Sequence, residues 1–268
     1  MAVELSASRI LAAGAAVGPV LGIDTGSPIA SVGIVAEGRI RASRAQGLRS
    51  HCAGLPELVD DVLSSAGISL PDLRAIAVAL GPGSFTGLRV GLSYAKGLVL
   101  AAKCGIVGVS TLDAIVLCIP QSELASASTI CPIIDARKGE IYTALYGFVS
   151  DALQKMTSDL VVPLKEFVSG IDEALFVGDS KAEEARSLVV ANGRSARTAE
   201  ASQLELRGCF VAALGAARVA NNEIDEAATL EPLYVRPSDA SVNVTAVRSG
   251  EGDYGTSRGR AYPAVCRS

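Results

Sequence analysis

Ala75-Ile76-Ala77-Val78-Ala79-Leu80-Gly81-Pro82-Gly83-Ser84-Phe85-Thr86-Gly87-Leu88-Arg89-Val90-Gly91 decides how this chain of 268 residues folds. Its first six residues form an unbroken apolar run, short enough for a buried strand. A glycine loop follows, and the pattern to Ala102 is helical. Strand, glycine loop, helix is the order of a phosphate-binding turn, and two familiar versions can be tested by spacing. A P-loop needs Lys and then Ser or Thr after its last Gly, where this chain has Leu88 and Arg89. The dinucleotide fingerprint needs G-x-G-x-x-G, but Gly81, Gly83 and Gly87 are one residue too far apart at the end. Neither spacing is met.

Gly87, Gly91 and Ala95 recur every four residues, so one face of the helix carries almost no side chain. Each interior Gly costs about 1 kcal/mol relative to Ala, which implies a compensating close approach of another backbone. That backbone belongs either to the chain's own sheet or to a helix of another protein. The residues by themselves favour the chain's own sheet.

The string GPGSFTGLRVG, with Gly22-Ile23-Asp24-Thr25 before it and Ile134-Asp135-Ala136-Arg137-Lys138-Gly139-Glu140-Ile141-Tyr142 after it, resembles the bacterial TsaB family, also called YeaZ and once labelled glycoprotease-like. The resemblance runs from about Val20 to about Asp239 and closes on Glu231-Pro232-Leu233-Tyr234-Val235-Arg236. It implies an actin-like (ribonuclease H-like) α/β fold of two related domains. It also implies a non-catalytic subunit of the machinery that makes threonylcarbamoyladenosine in tRNA. The implied partners are a TsaD-type catalytic subunit, a TsaE-type ATPase and, through the complex, tRNA.

Composition agrees with a folded chain that is not a nucleic-acid binder on its own. Hydrophobic residues make up 49% of it and the formal net charge is −4, without the basic surplus that phosphate contacts require. The six Cys include no C-x-x-C pair, so neither a zinc site nor a disulfide framework is expected, and a reducing cytoplasm fits best. No apolar run has the length of a membrane span. Arg9 and the apolar residues Ile10 to Leu21 make a poor secretory signal, because Glu4 precedes the Arg and the run flows into the first strand. Residues 1–19 are therefore expected to be an extension, and Ser241 to Ser268, rich in Ser, Gly and Arg, a disordered tail.

Between these ends two domains are expected, 20–120 and 130–240, divided by the polar stretch Gln121 to Thr129. The first opens with strands at Val20 to Ile23, Ile29 to Val35 and Arg39 to Arg44, an antiparallel trio with turns at Asp24-Pro28 and Glu37-Gly38. Ser50 is placed to cap a helix to Ala66, with Pro56 in its first turns and Leu55, Leu58, Val59, Val62 and Leu63 on one face. A strand Ile106 to Val109 and a helix from Ser110 to about Ile119 complete it. The second domain repeats the theme, with strands Ile130 to Ile134, Glu140 to Phe148 and Leu175 to Gly178, and an Ala-rich helix Cys209 to Ala220. Asp24 and Asp135 occupy matching strand-end positions.

The chemistry is sparse. His51 is the one His in the chain, so neither a His-x-x-x-His metal pair nor a catalytic triad with a defined partner can be built, and no metal and no catalytic residue is assigned. Ser84, just before a helix, suits a cap better than a nucleophile. In actin-like proteins an Asp like Asp24 reaches metal-bound nucleotide, so Asp24, Thr25, Gly26, Gly81, Gly83 and Ser84 are expected to line a degenerate phosphate site. ATP or ADP with magnesium would be held only in the complex. The competing account is that Asp24 and Thr25 close a turn through their side chains. The partner interface is expected on Leu55, Leu58, Val59, Val62, Leu63, Gly87, Gly91, Leu92, Ala95 and Leu98. An autonomous ATPase or small-molecule kinase, and a structural homodimer, are the alternative functions.

Overall fold

Central strands buried on both faces build this molecule outward from its centre. The computed structural model describes residues 6–47, 54–124, 126–150, 152–199 and 201–235, all within one compact unit, Met1–Val235. His51, Ser50 and the tail from Ser241 lie outside the described residues.

Helix α1 (Ala7–Ala13) precedes strands β1 (Val20–Asp24), β2 (Ile29–Ala36) and β3 (Arg39–Gly47). Helix α2 (Leu55–Ala66), strand β4 (Ala75–Gly81), helix α3 (Phe85–Ala102), strand β5 (Gly105–Ser110) and helix α4 (Thr111–Leu117) follow. The first sheet has the order β3-β2-β1-β4-β5, with β1 antiparallel to β2 and parallel to β4. Pro56 sits in the first turn of α2, where its missing N–H costs nothing.

Helix α5 (Gln121–Leu124) leads to β6 (Thr129–Arg137), β7 (Glu140–Thr143), β8 (Tyr146–Val149), β9 (Ala152–Lys155) and β10 (Leu160–Pro163). Helix α6 (Leu164–Ser169), strand β11 (Glu173–Gly178), helix α7 (Ser180–Ala191), strand β12 (Ser195–Thr198) and helix α8 (Arg207–Ala220) follow. The second sheet runs β10-β7-β6-β11-β12. Here β6, β7, β11 and β12 repeat the directions of β1, β2, β4 and β5, antiparallel on one side and parallel on the other. A doubled arrangement of this kind is the ribonuclease H-like, actin-like α/β fold.

Three expectations need correction. The strand expected from Glu140 to Phe148 is two strands, because β7 pairs with the far end of β6 and with β10, whereas β8 turns to pair with Thr129 and Ile130 and with β9. Helix α8, expected in the second domain, packs on the first sheet: a Cβ at Gly22 of β1 would lie 2.1 Å from the Gly208 carbonyl oxygen, so only Gly permits this approach. The N-terminal residues are not a bare extension either. Helix α1 lies against α8, with Ile10 only 4% exposed in the core that both sheets share.

Both faces of the first sheet are buried. Leu21, Ile23, Ile76 and Val78 point to α2 and α3, while Val20, Ala75, Ala77 and Ala79 point to α4 and α8. None of the described helices is long and apolar enough to cross a membrane.

Candidate functional site

The parallel strands β1 and β4 end side by side, and their turns meet. Ser84 N–H donates to the Gly26 carbonyl at 2.7 Å, and a Cβ at Gly83 would lie 2.5 Å from that same oxygen. Thr25 Oγ1 donates to the Gly87 carbonyl at 2.8 Å. Ser84 caps α3 as expected, its Oγ accepting from Gly87 N–H at 3.2 Å. The fold thus brings Asp24, Thr25, Gly26, Gly81, Gly83 and Ser84 together as two loops packed on each other.

Asp24 is fully buried, and its carboxylate is occupied. Oδ1 accepts from Gly26 N–H at 2.8 Å, and Oδ2 accepts from Arg207 Nε at 2.6 Å. Arg207, at the start of α8, also donates through Nη2 to Ser27 Oγ at 2.6 Å and to the Ile29 carbonyl at 2.9 Å. Burial opposes the guanidinium charge, but Asp24 outweighs it and holds the Arg207 pKa above its ordinary value. These residues do not fit a metal-bound nucleotide: a cation already faces Asp24, and the Ser84 amide is spent on Gly26. Sequence reasoning missed Arg207, whose one signal is a lone Arg opening a small-residue helix. Asp135 repeats the Asp24 turn, its Oδ1 accepting from Arg137 N–H at 2.8 Å, but without a buried arginine beside it.

The expected partner face is corrected by the packing. Leu55, Leu58, Val59, Val62, Leu63, Leu92 and Ala95 are buried against β1 to β5, and Leu98 is half-buried against the same cluster. Gly87 and Gly91 admit Thr25, not a foreign helix: a Cβ at either would lie 2.1 Å from a Thr25 oxygen. The outer face of α3 carries Val90, Ser93, Tyr94, Gly97 and Leu100 instead. Leu100 is 78% exposed, and Gly97 has open space where a Cβ would be. Leu55, Pro56, Arg89, Val90, Ser93 and Tyr94 line a shallow groove between α2 and α3. Partial burial, and then the Asp60 and Glu57 carboxylates of α2, push the Tyr94 hydroxyl pKa up. At the head of α3 the Arg89 guanidinium stacks 3.8 Å over Phe85 and its Nε donates to Tyr234 Oη at 2.8 Å. Leu233 N–H donates to the Leu80 carbonyl at 2.7 Å, so the closing motif is strapped to the glycine loop.

A second polar cluster joins the two sheets. Tyr146 Oη donates to Asp113 Oδ1 at 2.6 Å, and Lys155 Nζ pairs with Asp113 at 3.0 Å and Asp159 at 2.5 Å. Burial pushes the Cys131 and Cys209 thiols up to about 12, which leaves them no thiolate at neutral pH. Among the described residues no group of three or more His, Cys, Asp or Glu is placed to hold a metal.

The family model described as TsaD, tRNA N6-adenosine threonylcarbamoyltransferase, matches residues 44–192, more than half of the chain. The Escherichia coli protein named tRNA threonylcarbamoyladenosine biosynthesis protein TsaB is 38% identical over 127 residues. The chain belongs to this family, in its TsaB (YeaZ) branch. The E. coli match covers 47% of this chain and spans about half (54%) of that relative. The TsaB of Bacillus subtilis is 27% identical over 226 residues, 82% of this chain and 95% of the relative. The YeaZ structure from Pseudomonas aeruginosa superposes with a TM-score of 0.64 at 24% identity, covering 81% of this chain and 99% of that one, which shows the TsaB-type fold.

Proposed function

We propose that this chain is a non-catalytic subunit in threonylcarbamoyladenosine formation on tRNA, supporting a TsaD-type subunit that transfers the threonylcarbamoyl group to N6 of the adenosine adjacent to the anticodon. The names of the TsaB relatives support the pathway. The single structural observation that carries the non-catalytic reading is the buried Asp24–Arg207 pair, which fills the strand-end turn that a ligand would need. The TsaE-type ATPase completes the assembly, and tRNA is met through the complex. Any ATP or ADP with magnesium belongs to the assembled complex and its partners rather than to the Asp24 turn.

The partner surface in this reading is the outer face of α3 with the adjoining groove on α2. Tyr94 and Arg89 are residue types that anchor interfaces, and bare Gly97 beside exposed Leu100 admits a close helix. Light scattering of the purified chain mixed with its TsaD-type partner should give the mass of a heteromer, and transfer should require that partner. Transfer by the isolated chain refutes the non-catalytic assignment, and a mixture that stays as separate components refutes the partner assignment. An autonomous ATPase or kinase would need Asp24 free, and a purely structural homodimer would leave the partner unbound.

A further inference from the structure

The Arg207 guanidinium sits at the convergence of three oxygens: Asp24 Oδ2, Ser27 Oγ and the Ile29 carbonyl. Carboxylate, hydroxyl and carbonyl oxygens are the ligand types of a hard divalent cation. They lie at the C-terminal end of a central parallel strand, where open α/β sheets take up ligands. The Arg comes from 183 residues further along, where the chain returns from the second sheet to the first. It is almost fully buried, and Asp24 is completely so. The glycine loop closes the other side by spending the Ser84 amide on the Gly26 carbonyl.

We infer that Arg207 is a built-in cation that stands where a divalent metal would meet Asp24, closing this turn to metal-bound nucleotide and fixing α8 to the β1–β2 turn. A planar fork with several donors can satisfy dispersed oxygens that an ion would draw into one shell. One positive charge then balances one buried carboxylate without any ligand from solution. The inference does not depend on which partner the chain serves, because it concerns only the state of this turn.

Manganese(II), alone and with ADP, titrated into the full chain and followed by the electron paramagnetic resonance of the free ion, tests it. Wild type and Asp24→Asn should bind the ion equally, within about twofold. Arg207→Ala should gain about tenfold or more in affinity, and the double variant Asp24→Asn/Arg207→Ala should lose that gain. Wild-type binding that falls about tenfold in Asp24→Asn overturns the inference, as does a folded Arg207→Ala with wild-type affinity. If a single variant proves insoluble, the comparison of wild type with Asp24→Asn/Arg207→Ala decides, since the double variant leaves no buried charge unpaired and a turn open to metal must weaken when its carboxylate is removed.

Discussion

Thr25 and Gly91 are in contact: a Cβ at position 91 would lie 2.1 Å from the Thr25 Oγ1, a hydroxyl already committed to the Gly87 carbonyl at 2.8 Å. Helix propensity alone would make Gly91→Ala about 1 kcal/mol more stable. Overpacking against a β-branched side chain fixed by its own hydrogen bond costs about 1–3 kcal/mol and disturbs that bond besides. The variant is expected to lose about 2 kcal/mol, read as a lower urea midpoint at unchanged slope. A midpoint at or above wild type would show that the small face does not pack inward.

Gly97, on the opposite side of the same helix, should behave in the reverse sense. Nothing lies within 4 Å of a Cβ there, so Gly97→Ala should stabilise the isolated chain by about 0.5–1 kcal/mol. If a partner helix uses its bareness, Gly97→Gln should keep the fold and weaken heteromer formation by about tenfold or more, measured by size-exclusion titration. Unchanged association would move the partner surface elsewhere.

Breaking the Asp24–Arg207 pair leaves a charge buried without its counter-ion. Arg207→Met is expected to cost about 3–5 kcal/mol, and Asp24→Asn/Arg207→Met less than the sum of the two single variants. Additive losses in chemical denaturation would mean that the two residues act independently.

Alkaline pH should loosen the joint between the sheets. Burial, and then Asp113, push the Tyr146 hydroxyl well above its ordinary 10.0, and Lys155 lies above 10.5 because Asp113 and Asp159 outweigh its burial. For both groups the native state keeps a proton that the unfolded chain gives up, so stability is held below about pH 10 and lost as pH rises through the folded values. Tyr146→Phe should flatten that decline in thermal melts. An unchanged slope would remove Tyr146 from its cause.

Removing residues 1–18 takes Ile10 from the shared core and uncovers α8. The truncation should lower the melting temperature markedly, and Ile10→Ala alone should cost about 2–4 kcal/mol. Melting temperatures equal to wild type for both would restore the view of this segment as a passive extension.

Local pattern in the sequence determined strands β1 to β6 and β11, the glycine loop, the Ser84 cap and the apolar stripe of α2, because each depends on neighbours within a turn or on alternation along one strand. That this stripe and the small face of α3 turn to the chain's own sheet rather than to a partner was decided by packing. Even the close seat of α8 leaves a trace in the sequence: β4 shows that helix only Ala75, Ala77 and Ala79, while Ile76 and Val78 face the other way. What fills each face is another matter. Gly87, Gly91 and Ala95 announce a close approach without saying that Thr25 makes it, and Asp24 announces a charged turn without pointing to Arg207, 183 residues away. Tertiary structure alone decided these, along with the break between β7 and β8 and the return of α8 to the first sheet. Each is a pairing of distant segments, chosen by shape and charge after the local elements exist, and so carries no period for a single stretch of sequence to display.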